Sequence, residues 1–185
     1  MERLIPGLGT LDLDQMRAAL SAWSEANHEL LAQRQWTSAF KRYPRLDFSA
    51  TSAPFETAPT DLRQARVLLL GSAGLFAPGQ QPFDAMDPLG DYTFRMVPAD
   101  LDLASASLAH DHYDHAAADA DRNAVFPLER LREMVDMREI GSLTDQHIAF
   151  MGYQPDYVTL IESFLPGVTT AAMEQGADLA LLVPV

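Results

Sequence analysis

The sequence predicts an α/β protein: a three-layer, Rossmann- or flavodoxin-like arrangement with a mainly parallel sheet and an N-terminal helical extension. Three apolar runs carry the prediction. Arg66-Val67-Leu68-Leu69-Leu70-Gly71 and Ile148-Ala149-Phe150-Met151-Gly152 are closed by glycine, and Leu179-Ala180-Leu181-Leu182-Val183-Pro184-Val185 follows the turn Gly176-Ala177-Asp178. Continuous runs of this kind are the signature of strands buried on both faces. Helical stretches separate them, and strand–helix–strand alternation builds a parallel sheet with right-handed crossovers. The 185 residues suit one domain, divided into a helical extension (1–45), an extended connector (46–64) and an α/β core (65–185).

In order, residues 11–40 carry Met16, Leu20 and Trp23, then Leu30, Leu31, Trp36 and Phe40, at helical spacing, with Asp12 or Asp14 placed to cap. Lys41, Arg42 and Arg45 form the one concentration of positive charge, suited to a helix C-terminus or to anchoring an acidic ligand. Residues 46–63 are rich in Ser, Thr, Ala and Pro, which blocks regular helix. After the first strand, Gly71-Ser72-Ala73-Gly74 forms a small-residue turn of the sort that can cradle an anion on backbone N–H groups. Prolines 78, 82, 88 and 98 then impose a long irregular segment, carrying Asp84, Asp87, Asp91 and Asp100, that is placed to cover a site. Residues 101–108 form a mildly apolar run, a possible strand. Pro127 opens a helix with the stripe Leu128, Leu131, Met134 and Val135, ended at Gly141. Residues 155–175 supply helix interrupted at Pro166-Gly167.

Composition narrows the function. A net charge of −13 excludes nucleic acid and anionic membrane as main partners, since both require a basic face. No apolar window long enough for a membrane span and no signal-peptide core appear, so a cytoplasmic protein is expected. There is no cysteine, hence no thiolate nucleophile or cysteine-ligated metal from these residues.

Chemistry concentrates at His110-Asp111-His112-Tyr113-Asp114-His115; four of the five histidines lie between positions 110 and 147. In an open α/β sheet the ligand crevice lies beyond the carboxyl ends of the strands. Gly71, Ser72 and Gly74, the histidine cluster, Gly152, and Val183, Pro184 and Val185 are all expected there. The pattern His-x-His-x-Asp-His also matches the ligand spacing of metallo-β-lactamase-like hydrolases, in which His110, His112, Asp114 and His115 hold zinc or iron. The β-rich sandwich which that fold needs is not visible here.

Several segments, in order over residues 65–185, are familiar: Ala65-Arg66-Val67-Leu68-Leu69-Leu70, Gln81-Pro82-Phe83-Asp84, His110-Asp111-His112-Tyr113-Asp114, Asn123-Ala124-Val125-Phe126-Pro127-Leu128-Glu129-Arg130-Leu131, Glu139-Ile140-Gly141, Phe150-Met151-Gly152 and the final run from Gly176. Together they resemble the family of selenoprotein B of glycine/sarcosine/betaine reductase and D-proline reductase, particularly its short stand-alone members. The resemblance implies reductive cleavage, or a related reduction, of a small amine-type substrate by a selenocysteine or cysteine that thiols regenerate. It places that redox residue directly after Val185, outside this sequence, and the chain is expected to be truncated there. His110, His112, Tyr113 and Asp114 are the matching polar residues, chemically suited to donate protons. Gly71, Ser72, Gly74, Gly152, Val183, Pro184 and Val185 are expected to line the substrate site. A thiol electron-donor protein and a homo-oligomer or reductase complex follow as partners. The competing expectation is a thiol-free, non-catalytic subunit of such a complex, docking through the edge near Val183.

Overall fold

A computed structural model describes residues 12–45, 57, 59–110 and 113–185. The chain divides into two compact units, Met1–Thr57 and Ala58–Val185. Most of the connector expected at 46–64 lies outside the described residues; its last part is a 3₁₀ turn over Leu62–Gln64.

The first unit is a helical hairpin. Asp12 caps α1 (Leu13–Ala32) by accepting from the Gln15 N–H at 2.9 Å. The helix buries Leu20, Trp23 and Leu31 and stops where Arg34 turns left-handed at φ 55°. A short α2 (Trp36–Ala39) and a 3₁₀ turn (Phe40–Arg42) return along it. The Trp23 indole N–H donates to the Ala39 carbonyl at 2.9 Å, and the Trp23, Phe40 and Tyr43 rings pack with centroids 5.0–5.1 Å apart. Lys41 and Arg42 sit in the last turn, where cations oppose the helix dipole.

The second unit is the α/β body. Its strands are β1 (Arg66–Gly71), β2 (Leu75–Phe76), β3 (Phe94–Pro98), β4 (Ser107–Leu108), β5 (Ser142–Leu143), β6 (Gln146–Phe150) and β7 (Leu179–Val183). Central β1 runs parallel to β5 and β6 along one edge and to β7 along the other, and β3 adds antiparallel outside β6. The sheet is therefore mixed and mostly parallel; β2 and β4 form a separate two-stranded ribbon. The helices are α3 (Ala116–Ala120), α4 (Leu128–Asp136), α5 (Tyr157–Thr159) and α6 (Leu165–Glu174). On one sheet face Val67 and Leu69 pack with Phe126, Leu128 and Leu131; on the other Leu68, Leu70 and Ile148 pack with Phe164 and Val168. Helices on both faces explain why the strands read as unbroken apolar runs. Each fully buried leucine here contributes roughly 1.5–3 kcal/mol. Among the described residues no helix is long and apolar enough to cross a membrane.

Five expectations need correction. The segment 75–100 is not irregular throughout: it contains β2 and the antiparallel β3. The run 101–108 gives only a 3₁₀ turn (Leu103–Ser105) and the two residues of β4. α4 ends before Gly141, at Met137, with Arg138 at φ 58° making the turn. β7 is not fully buried: Leu179 and Val183 pack against the core, but Leu182 is 67% exposed, and nothing among the described residues pairs its outer edge. Pro166 does not break its helix. Lacking an N–H and crowding the carbonyl four residues back, it is accommodated by a π-helical turn over Leu160–Phe164 that runs straight into α6.

β5 and β6 are parted by Thr144 and Asp145, which opens the β1 ladder. His147, fully buried, fills the gap: its Nδ1 accepts the Leu69 N–H at 3.1 Å. That bond fixes the neutral tautomer with the proton on Nε2, which has no partner among the described residues. Burial, then the nearby Arg132 charge, hold its pKa down at about 4.

Candidate functional site at the carboxyl end of the sheet

Several of the expected site residues meet where β1 ends. The Ser72 N–H donates to the Val183 carbonyl at 3.1 Å, and the Ser72 carbonyl accepts from the Gly152 N–H at 2.8 Å. The Gly74 N–H donates to the Phe150 carbonyl at 2.8 Å, and the Ala109 N–H to the Gly74 carbonyl at 2.9 Å. Gly74 sits at φ +69°, where a Cβ would lie 2.7 Å from the Ala109 carbonyl oxygen, so only glycine allows the histidine loop this close. The turn's Ser72 and Gly74 amides are thus spent on neighbouring strands and form no anion cradle.

The histidine loop docks on this turn. Tyr113 Oη donates to the Ala73 carbonyl at 3.3 Å. Its ring lies edge-on to His110, centroids 5.1 Å apart, and stacks on His115 at 4.4 Å. His110 is buried, 3% exposed. His115 Nε2 bonds the His110 carbonyl, which places the proton on Nε2 and leaves Nδ1 as an acceptor. Asp114 Oδ1 accepts the Ala116 N–H at 2.9 Å, at the start of α3. Burial raises the Tyr113 pKa, with Arg122 lowering it and Asp119 raising it; the phenol keeps its proton at neutral pH. His112 and Asp111 lie outside the described residues.

The structure brings Gly71, Ser72, Gly74, His110, Tyr113, Gly152, Val183 and Val185 to one end of the sheet. Val185 N–H bonds Ser72 Oγ at 2.9 Å. Among the described residues, no group of three His, Cys, Asp or Glu is arranged to hold a metal ion. Of the expected metal set, Asp114 is engaged at the start of α3 and His115 on the His110 carbonyl.

Residues beyond the sequence reading also shape this end. Tyr153 Oη donates to the Pro88 carbonyl at 2.9 Å and Gln154 to the Asp91 carbonyl at 3.2 Å, so the proline-rich segment is docked on the turn after β6. The Arg95 guanidinium lies 4.2 Å above the Phe83 ring and bonds the Gln81 carbonyl, which fixes the same segment from β3. Asn123 and Glu129 exchange bonds of 2.7 and 3.1 Å that fasten α4, making that motif scaffold. Tyr153, Gln154 and Tyr113 each donate to a backbone carbonyl, and no sequence pattern marks such acceptors.

The fold and this end define an α/β protein whose polar loop, glycine turn and last strand meet at the carboxyl edge of a mostly parallel sheet. The glycine/sarcosine/betaine reductase selenoprotein B family matches residues 30–163, and the chain belongs to that family. It is similar to the D-proline reductase subunit gamma of Acetoanaerobium sticklandii, 29% identical over 133 residues, covering 71% of this chain and 54% of that protein. The chain thus spans about half the length of that curated relative. No solved structure matches.

Proposed function

We propose that this chain is the substrate-holding body of a cytoplasmic, thiol-dependent reductase that cleaves the C–N bond of a small amino acid or related amine. The redox residue, a selenocysteine or cysteine, follows β7 and is not among the 185 residues. The observation that supports this most is the joining of two elements through consecutive residues. Ser72 Oγ holds Val185, and the next carbonyl, that of Ala73, holds Tyr113. This supports a reading in which a reacting group leaving β7 works beside the proton-bearing loop.

Net chemistry requires two electrons from a protein dithiol, which is left as a disulfide while the C–N bond is replaced by a C–H and an N–H bond. Tyr113, held protonated by burial, and His110 and His112 supply the departing nitrogen with its proton. Asp114 shapes the loop through the α3 start. Gly71, Gly74, Gly152, Val183, Pro184 and Val185 form the wall of the substrate site, with Ser72 buried behind it. A homo-oligomer or a reductase complex, with a thiol donor protein, supplies the partners; the subunit designation of the similar protein supports the complex.

The test is purification of the native polypeptide from its host grown with selenium, followed by intact mass and reduction assays. A species heavier than 20.4 kDa that reduces D-proline, glycine or an N-methylated glycine at the expense of a dithiol is expected. A 20.4 kDa native polypeptide without dithiol-dependent reduction would refute the reading.

A further inference from the structure

Ser72, by its residue type, suggests a substrate ligand, yet its bonding points elsewhere. We infer that Ser72 is a positioning residue for the backbone leaving β7, and that Gly152 is a glycine so that Ser72 can act as one. This rests on the reading above, in which the reacting residue follows β7.

β7 pairs with β1 in register up to Gly71 opposite Val183, and there the Ser72 N–H takes the Val183 carbonyl at 3.1 Å. Alternate residues of a strand turn their N–H groups to opposite neighbours, so Pro184, which has none, faces away from β1 and leaves that ladder intact. The following donor is the Val185 N–H, and the Ser72 hydroxyl accepts it at 2.9 Å. One residue therefore grips the chain on both sides of the proline, through its backbone N–H and through its side chain. Ser72 is 7% exposed, so these bonds are made largely out of water.

Gly152 closes the clamp from the other strand. Its N–H donates to the Ser72 carbonyl at 2.8 Å. A Cβ there would stand 3.0 Å from Ser72 Cβ and 3.1 Å from Ser72 Oγ. Gly152 is not among the glycines at positive φ, so its requirement is space, not backbone conformation. A methyl at 152 crowds the serine side chain that holds Val185, which must give by a few tenths of an ångström. The next residue along, Ala73, carries Tyr113 on its carbonyl. The clamp thus fixes the exit of β7 relative to the tyrosine within two adjacent residues.

Two measurements decide the inference. In the 185-residue chain, Ser72→Ala and Gly152→Ala are each expected to speed amide exchange at Val185 by about tenfold, the equivalent of one lost hydrogen bond, with Leu68 and Leu70 unchanged. Unchanged exchange at Val185 in Ser72→Ala would overturn the clamp. In the complete reductase, Ser72→Ala is expected to lower kcat by about tenfold at constant KM, since a misplaced reacting group costs rate and not affinity. A raised KM with kcat retained would overturn the positioning role and make Ser72 a substrate contact. A wild-type protein without reductase activity would sink the functional reading alone; Val185 exchange still decides the clamp.

Discussion

His147 makes the fold acid-sensitive, and the size of the effect follows from its pKa. Folded, the imidazole sits at about 4, held down first by burial and then by Arg132; unfolded, it returns to 6.5. The unfolded chain therefore binds more protons between those values, and stability falls as pH drops through that window. It is fully present above 6.5 and its loss is complete below about 4. Linkage gives a loss of about 2 kcal/mol between pH 7 and 5, reaching about 3 kcal/mol at pH 4. The mechanism is specific, because protonating Nδ1 removes the acceptor of the Leu69 N–H in the centre of the sheet. His147→Asn keeps an acceptor near the Nδ1 position without titrating. Urea unfolding of both proteins at pH 7, 5.5 and 4.5 is the assay. The wild type is expected to lose stability more steeply than the variant, and the difference isolates His147 from the many carboxylates. Parallel stability–pH curves would refute the reasoning.

Three further outcomes are expected. Tyr113→Phe removes the bond to the Ala73 carbonyl and should lower unfolding free energy by about 1 kcal/mol while reducing turnover of the complete reductase, read by melting and steady-state assays. Trp23→Ala deletes a side chain that is 5% exposed, together with its bond to Ala39, and should cost the helical hairpin about 3–5 kcal/mol, seen as lost exchange protection in α1. Leu182→Lys, on the exposed strand β7, should change stability by less than about 0.5 kcal/mol in urea titrations; a large loss would mean that β7 is covered in solution.

What was legible in the sequence follows the physics of each element. β1 and β6 announced themselves because both of their faces are covered, leaving no polar alternation. β3 escaped because it is an edge strand: its residues are mostly half-buried, and Arg95 and Pro98 break the apolar pattern. The run of β7 registers an apolar strand, but apolar composition does not supply neighbours, so exposure of Leu181 and Leu182 was not legible. A proline in mid-helix signals disturbance without saying whether the helix stops or widens, and Pro166 widens it. At the candidate site, the convergence of the glycine turn, the histidine loop and the end of β7 was legible from the rule that places ligands at the carboxyl ends of strands. The bonds that make the convergence rigid were not, because Tyr113 and Ser72 act on backbone atoms that every residue possesses.

The two kinds of histidine in this protein stand at different depths, and that separation governs how any acid limb in activity should be read. His147 lies in the middle of the sheet, with its ring substituting for a missing ladder partner; its protonation loosens β1 against β6. The histidines of the loop lie beyond the strand ends, where His110 packs edge-on to Tyr113 and His115 stacks on it. Because β1 leads directly into Ser72 and Ala73, loosening at Leu69 reaches the clamp on Val185 three residues later. An acid loss of turnover that tracks the unfolding curve, and disappears in His147→Asn, belongs to the fold. A loss that persists in that variant belongs to the loop, for which proton donation is proposed.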